Sequence, residues 1–247
     1  PSKLTLKKRR SSKMSAIFKR EFKAYFTSPM GYIVLAVMLF FEGLFFAALY
    51  SLGSPDISYI FSQFGTIVLF FIPMLTMRTM SEDRKQKVDQ ALLTSPVGLY
   101  SIVFGKFFAT LAVFMLSFSV TIIFMIIIAF QGVTLNLLTY LGSLLGMVLM
   151  GSALIALGIF ISSLTESQFI SALGSYAFSI LCVSIDFVVS LVNVSWVTKA
   201  STWVSIIGRY NAFTSGIIDY SNIVFFVCFA AVFIFLTVRV LDKRRYS

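Results

Sequence analysis

An all-α polytopic membrane bundle is the fold class this sequence predicts, on three observations. Six apolar runs, at 31–50, 57–77, 100–130, 137–164, 169–192 and 223–240, are separated by short polar joints. Each exceeds the roughly 17 residues needed to cross a hydrocarbon core of about 30 Å. Hydrophobic residues make up 58% of the 247-residue chain against 12% charged, and Phe alone contributes 28; a water-soluble domain of this composition would expose too much apolar surface. Basic residues also cluster at particular joints, nine of the 20 Lys and Arg preceding Thr27. The net charge of +10 therefore reads as topology and attraction to anionic lipid, not as a nucleic-acid surface.

The chain opens with a basic polar segment, 1–13, that has no apolar periodicity and reads as a flexible tail ahead of one membrane domain at 14–245. Met14 is the alternative start. Met14, Ile17, Phe18, Phe22, Tyr25 and Phe26 share one broad helical face, with Lys19, Arg20 and Lys23 elsewhere. A helix built this way over 14–27 lies in the headgroup plane as an elbow, its aromatics in lipid. Ser28-Pro29 turns the chain into the first span. That span lacks a small-residue cleavage site and others follow it, so it is expected to stay in the mature protein. Glu42 falls near its middle. A carboxylate facing lipid is expensive, so Glu42 is expected to face protein, carry a proton or pair with another helix, as a structural hydrogen bond or as a substrate or gating contact.

The joint after the second span is the most informative. Over 79–95, Thr79 and Glu82 have capping-box spacing, Asp83 and Lys87 sit one turn apart, and Pro96 should end a helix near Ser95. A capped, charged helix with a Val88, Leu92 and Leu93 edge exceeds what a connection needs, and it reads as a docking helix for a cytoplasmic protein. The fourth run carries Gly142, Gly146, Gly151, Ala153, Ala156 and Gly158, and the small-xxx-small spacing of Gly142 and Gly146 predicts close helix packing. Asp186 lies nearer the outer end of the fifth run, within reach of water. Between runs five and six, 202–219 contains Trp203, Arg209, Tyr210, Asn211, Gly216 and Asp219. That mixture suits a re-entrant or interfacial pair of short helices, with Trp203 and Tyr210 at the headgroup boundary, capping the surface or closing a path.

With six spans, the clusters Lys19, Arg20, Lys23, then Arg78, Arg84, Lys85, Lys87, then Lys243, Arg244, Arg245 fall on one side. The positive-inside rule assigns that side, with both termini, to the cytoplasm. Asp56, the neutral 131–136 joint, Lys199 and Arg209 lie opposite. The chain has no His, and Cys182 and Cys228 both lie inside apolar runs; neither a zinc site nor a disulfide framework is predicted, and no catalytic constellation stands out. A phosphate-binding glycine loop is also missing, so ATP hydrolysis by this chain is not expected.

The segments Pro73-Met74-Leu75-Thr76-Met77-Arg78, Ser81-Glu82-Asp83-Arg84 and Leu92-Leu93-Thr94-Ser95-Pro96-Val97 resemble the signature block of bacterial ABC-2-type permeases. Within that group the layout over about 14–245 is most similar to the gliding-motility-type permease subunits. The resemblance implies the permease subunit of an ATP-driven exporter in the bacterial cytoplasmic (inner) membrane. It also implies that 79–95 includes a coupling helix seated in a separate nucleotide-binding subunit, with Glu82, Asp83, Arg84, Lys87, Leu92 and Leu93 as coupling residues. Mg-ATP would then belong to that ATPase, with no cofactor in this chain. Implied partners are cytoplasmic ATPase subunits, a second permease subunit of the same or a related chain, membrane lipids and a separate extracytoplasmic accessory protein. Asp83, Lys85, Gln86 and Lys87 make the block more hydrophilic than the family's usual Glu- and Gly-containing stretch. The alternatives are a membrane anchor or scaffold of a secretion or motility complex, and an ion-driven secondary carrier, which Glu42 invites and the docking helix does not.

Overall fold

The computed structural model describes residues 3–51, 57–88, 98–130, 137–191 and 205–245, with side chains at 14–51, 58–88, 98–130, 137–184 and 205–245. These residues form helices α1 (Lys3–Thr27), α2 (Pro29–Ser51), α3 (Ile57–Thr76), α4 (Ser81–Lys85), α5 (Leu99–Ser117), α6 (Ser119–Phe130), α7 (Leu137–Leu164), α8 (Gln168–Leu191), α9 (Ile206–Thr214) and α10 (Tyr220–Arg245). Among the described residues five stretches are long and apolar enough to cross a membrane: Pro29–Ser51, Ser58–Lys85, Leu99–Phe130, Leu137–Leu164 and Tyr220–Arg245. The fifth apolar run forms α8, 24 residues long, whose apolar part within the described side chains, Gln168–Ser184, is shorter.

The expected tail at 3–13 is helical and continuous with the elbow. Lys, Arg and Leu are good helix formers, and no Gly or Pro interrupts Lys3–Thr27. α1 packs along α5 and α2, with Ile17 buried and Phe22, Tyr25 and Phe26 against the core.

The centre of the bundle is α7, which touches α3, α4, α5, α8, α9 and α10. Its glycines make that possible, because Gly146, Gly151 and Gly158 each receive a neighbour where a side chain would collide. A Cβ on Gly146 would lie 2.5 Å from Phe213 Cβ, one on Gly151 2.2 Å from Phe114 Cε1, and one on Gly158 2.2 Å from Thr76 Oγ1. Gly142 and Gly146 share Phe213 of α9, so the small-xxx-small pair seats a short helix. Apolar side chains such as Phe40, Ile123, Leu141, Phe169 and Val224 point outward, as a bundle bathed in hydrocarbon permits.

Two irregularities are locally explained. Pro73 lies inside α3 and has no N–H for the carbonyl of Leu69 four residues back. Ser179 Oγ of α8 donates to that carbonyl at 2.7 Å. The third span bends between α5 and α6 at Phe118, where Ser117, Ser119 and Thr121 each donate a hydroxyl to the carbonyl three residues back. Such back-bonding competes with the helical ladder and bends it.

Crowding at the α7 seam yields a paired expectation. Gly158→Ala forces Thr76 and α3 away from α7 and should cost about 1–3 kcal/mol. Gly43, with nothing within 4 Å of its added Cβ, should accept Ala without loss. Thermal unfolding of the detergent-solubilised protein checks both.

Candidate functional site

The polar residues of this apolar molecule gather at one end of the bundle, around the corner that joins α3 to α5. The predicted helix over 79–95 is described only as far as Val88, and that part is interrupted. α4 covers Ser81–Lys85, and Lys87, at φ 59°, takes the left-handed conformation that stops it. Leu92 and Leu93 lie outside the described residues. The capping box does not form either: the residue before α4 is Met80, which makes no side-chain cap. Thr79 Oγ1 instead donates to the Thr76 carbonyl at 2.7 Å, and Glu82 is held by Arg78. The cap comes from α7, where Ser162 Oγ accepts the N–H groups of Met80 at 3.1 Å and Ser81 at 3.0 Å and donates to the Met77 carbonyl. A tertiary hydroxyl has replaced the local one.

Asp83 does not pair with Lys87. Its Oδ2 lies 2.7 Å from Lys106 Nζ and 3.5 Å from Arg20 Nη2. Lys106 sits in the second turn of α5, only 1% exposed, and its ammonium also reaches Glu21 Oε2 of α1 at 3.1 Å and the carbonyl of Thr79. A desolvated cation is tolerated only with such partners. Lys106 with Arg20, and Glu21 with Asp83, make a node of two cations and two anions shared by elbow, corner and third span. Arg78 clamps Glu82 through two bonds of 2.6 and 2.9 Å and reaches Ser28 Oγ at the start of α2. Tyr25 Oη donates to the Leu75 carbonyl at 3.0 Å and lies 3.1 Å from Thr110 Oγ1; burial pushes this phenol well above the usual tyrosine range, so it remains a neutral donor.

On the opposite side Arg84 Nε pairs with Glu166 Oε1 at 2.8 Å and its Nη1 donates to the Leu164 carbonyl, while Arg244 donates to the Ser163 carbonyl. Two arginines thus satisfy the open C-terminal end of α7. Arg20, Tyr25, Arg78, Glu82, Asp83 and Gln86 are among the residues lining a cleft of about 300 Å³ between elbow and corner. Lys85, Gln86 and Lys87 form the exposed tip.

At the other end of the bundle, α9 spans nine residues, about 14 Å at 1.5 Å per residue, too short to cross the hydrocarbon core. Ser205 Oγ caps its N-terminus through the N–H of Gly208 at 2.8 Å. Gly216, at φ 78°, ends it in a Schellman turn: the N–H of Ile217 reaches the carbonyl of Ala212 and that of Gly216 the carbonyl of Phe213. Tyr210 points into the protein and not toward lipid. It is fully buried, packed on Gly65, with its hydroxyl donating to the Phe61 carbonyl at 2.7 Å; a phenol with an internal acceptor has no need of the interface. Arg209 pairs with Asn222 at 2.7 Å and lies over the Phe225 ring. Asn211 is exposed, and its carbonyl receives the hydroxyls of Thr214 and Ser215. Asp219 caps α10 by accepting the Ser221 N–H. Trp203 and the side chain of Asp186 lie outside the described residues.

Glu42 is 1% exposed, and neither carboxyl oxygen has a hydrogen-bond partner. It faces protein, as expected, but makes no structural hydrogen bond. Among the described residues no cluster of His, Cys, Asp and Glu could hold a metal ion.

Lys106, Glu21, Ser162 and Glu166 are the site residues that sequence reasoning passed over. Lys106 left a signal, a lone cation well inside an apolar run, of the same kind that drew attention to Glu42. The serine left none, because hydroxyls are common in membrane helices.

The described residues thus form a multi-pass α-helical membrane bundle with a braced polar corner at one end. Residues 54–239 match the family described as ABC-2 family transporter protein, and the chain belongs to that family. It is a membrane permease component of an ABC-type transport system. No curated protein matches the chain.

Two expectations follow. Ser162→Ala removes the tertiary cap and should cost about 1 kcal/mol, seen as faster amide exchange at Met80 and Ser81. Glu42→Met removes a buried unpartnered carboxyl and should raise stability by about 1–3 kcal/mol. Impaired transport by that stabilised variant would mark Glu42 as functional, whereas a fall in melting temperature would mean that the carboxyl has a partner.

Proposed function

We propose that the corner at 79–95 is the docking element for a separate cytoplasmic ATPase that binds and hydrolyses Mg-ATP, and that this chain converts that partner's motion into export. The assembly pairs two permease subunits, of the same or related chains, with ATPase subunits. In this reading α8 completes a set of six spans in the bacterial inner membrane, with both termini cytoplasmic, α1 as the elbow and α9 as an outer re-entrant element. The gathering of Arg20, Lys23, Arg78, Arg84, Lys85, Lys87 and Arg244 at one end of the bundle supports that orientation. The 73–97 block supports placing the chain with the gliding-motility-type permeases.

One observation carries the docking assignment: an exposed tip, Lys85-Gln86-Lys87, projects from a corner tied to α1, α5 and α7 by ion pairs and hydrogen bonds. A rigid mount with a solvated tip transmits force, and a mobile loop does not. Glu82, Asp83 and Arg84 are assigned to bracing, while Lys87, Leu92 and Leu93 are assigned to contact.

The combined Lys85→Glu and Lys87→Glu variant should lower recovery of the ATPase complex from native membranes by about tenfold, the loss expected for reversing two contact charges. The spans should stay intact. Unchanged recovery and unchanged ATP hydrolysis would remove the docking role.

A further inference from the structure

Retention of a charge at Lys106 calls for an explanation other than stability. A buried ion pair replaced by apolar groups of the same shape is often no less stable, and α5 offers the apolar Ile102, Val103 and Ala109 around this position. Lys106 gains its partners entirely from elsewhere: Asp83 of the corner at 2.7 Å, Glu21 of the elbow at 3.1 Å and the Thr79 carbonyl. Next to it, Ile17 of the elbow seats on Gly105, where an added Cβ would lie 2.7 Å from Ile17 Cγ2. One turn further on, Thr110 meets Tyr25, whose hydroxyl also holds the Leu75 carbonyl at the end of α3. The elbow therefore meets α5 at two levels one turn apart, and the same two residues of α5, Lys106 and Thr110, connect it to the end of α3 and to the corner.

We propose that Lys106 is a positioning residue for coupling, the point through which displacement of the 79–88 corner reaches α1 and α5, so that elbow, corner and third span move as one body. The inference rests on the docking role assigned to the corner. Ion pairs of this length resist separation strongly in a desolvated site, whereas apolar contact alone lets helices slide past one another. The Arg84–Glu166 pair, in which Glu166 is 62% exposed, ties the corner to the joint after α7 by a weaker link.

The test uses the complex of this chain with the ATPase that copurifies with it, in lipid nanodiscs, where Mg-ATP and label reach both faces. A cysteine replaces the exposed Ile217, with Cys182 and Cys228 changed to Ala, and its labelling by a membrane-impermeant maleimide is timed with and without Mg-ATP. Lys106→Met with Glu21→Gln removes one cation and one anion together and leaves Arg20 to pair with Asp83. In this variant complex recovery should stay within about twofold of wild type while the Mg-ATP-dependent change in labelling falls at least about tenfold, the size of an ordinary coupling energy. Lys106→Arg, which keeps the charge, should retain most of the change. An undiminished change in the neutralised variant overturns the inference, and so does loss of the complex, which would place these charges in assembly. The exposed-tip reversals separate the two ideas: they lower recovery about tenfold if docking is right, whatever Lys106 does. A wild-type protein that shows no Mg-ATP-dependent change defeats the docking reading and this inference with it.

Discussion

Hydrocarbon offers a backbone no hydrogen-bond partner, and this bundle meets that constraint by sending side chains from one helix to the irregular points of another. Pro73 frees the Leu69 carbonyl, and Ser179 fills it. The end of α3 frees Leu75, and Tyr25 fills that. The first amides of the α4 corner go to Ser162, and the last carbonyls of α7 go to Arg84 and Arg244. At the opposite end, Tyr210 binds the Phe61 carbonyl. An unmet backbone group in lipid costs several kcal/mol, so each of these contacts fixes the position of the helix that donates it.

Such reach requires close approach, and glycine permits it. Gly65 opens α3 to Tyr210, Gly105 opens α5 to the elbow, and the row from Gly142 to Gly158 lets α7 receive α9, α5 and α3 in turn. The polar corner is a product of this packing. Lys106 can be buried because α1 and the corner deliver two carboxylates to it, and they can do so because Ile17 settles against Gly105.

Legibility in the sequence divided along the same line. The corner itself was readable from Arg78, Glu82, Asp83 and Arg84, since a charged cluster between two apolar runs has no other place to go. Its internal wiring was not. Capping-box and i,i+4 rules assume that a helix finds its partners locally; here Ser162, some eighty residues away, supplies the cap, and Lys106 and Arg20 take Asp83 away from Lys87. For Tyr210, likewise, only the fold shows that its hydroxyl has an internal acceptor.

Composition and run length by themselves determined that this chain is a bundle of membrane helices, because transfer of apolar segments into hydrocarbon depends on local sequence alone. They also determined which segments are polar joints. Tertiary structure decided what the polar residues do: which carboxylate neutralises Lys106, which hydroxyl caps α4, and that Glu42 is buried with no partner at all. Those outcomes depend on distances between residues far apart in the chain, and in a medium without water the partner that packing brings within reach is the one that satisfies the group.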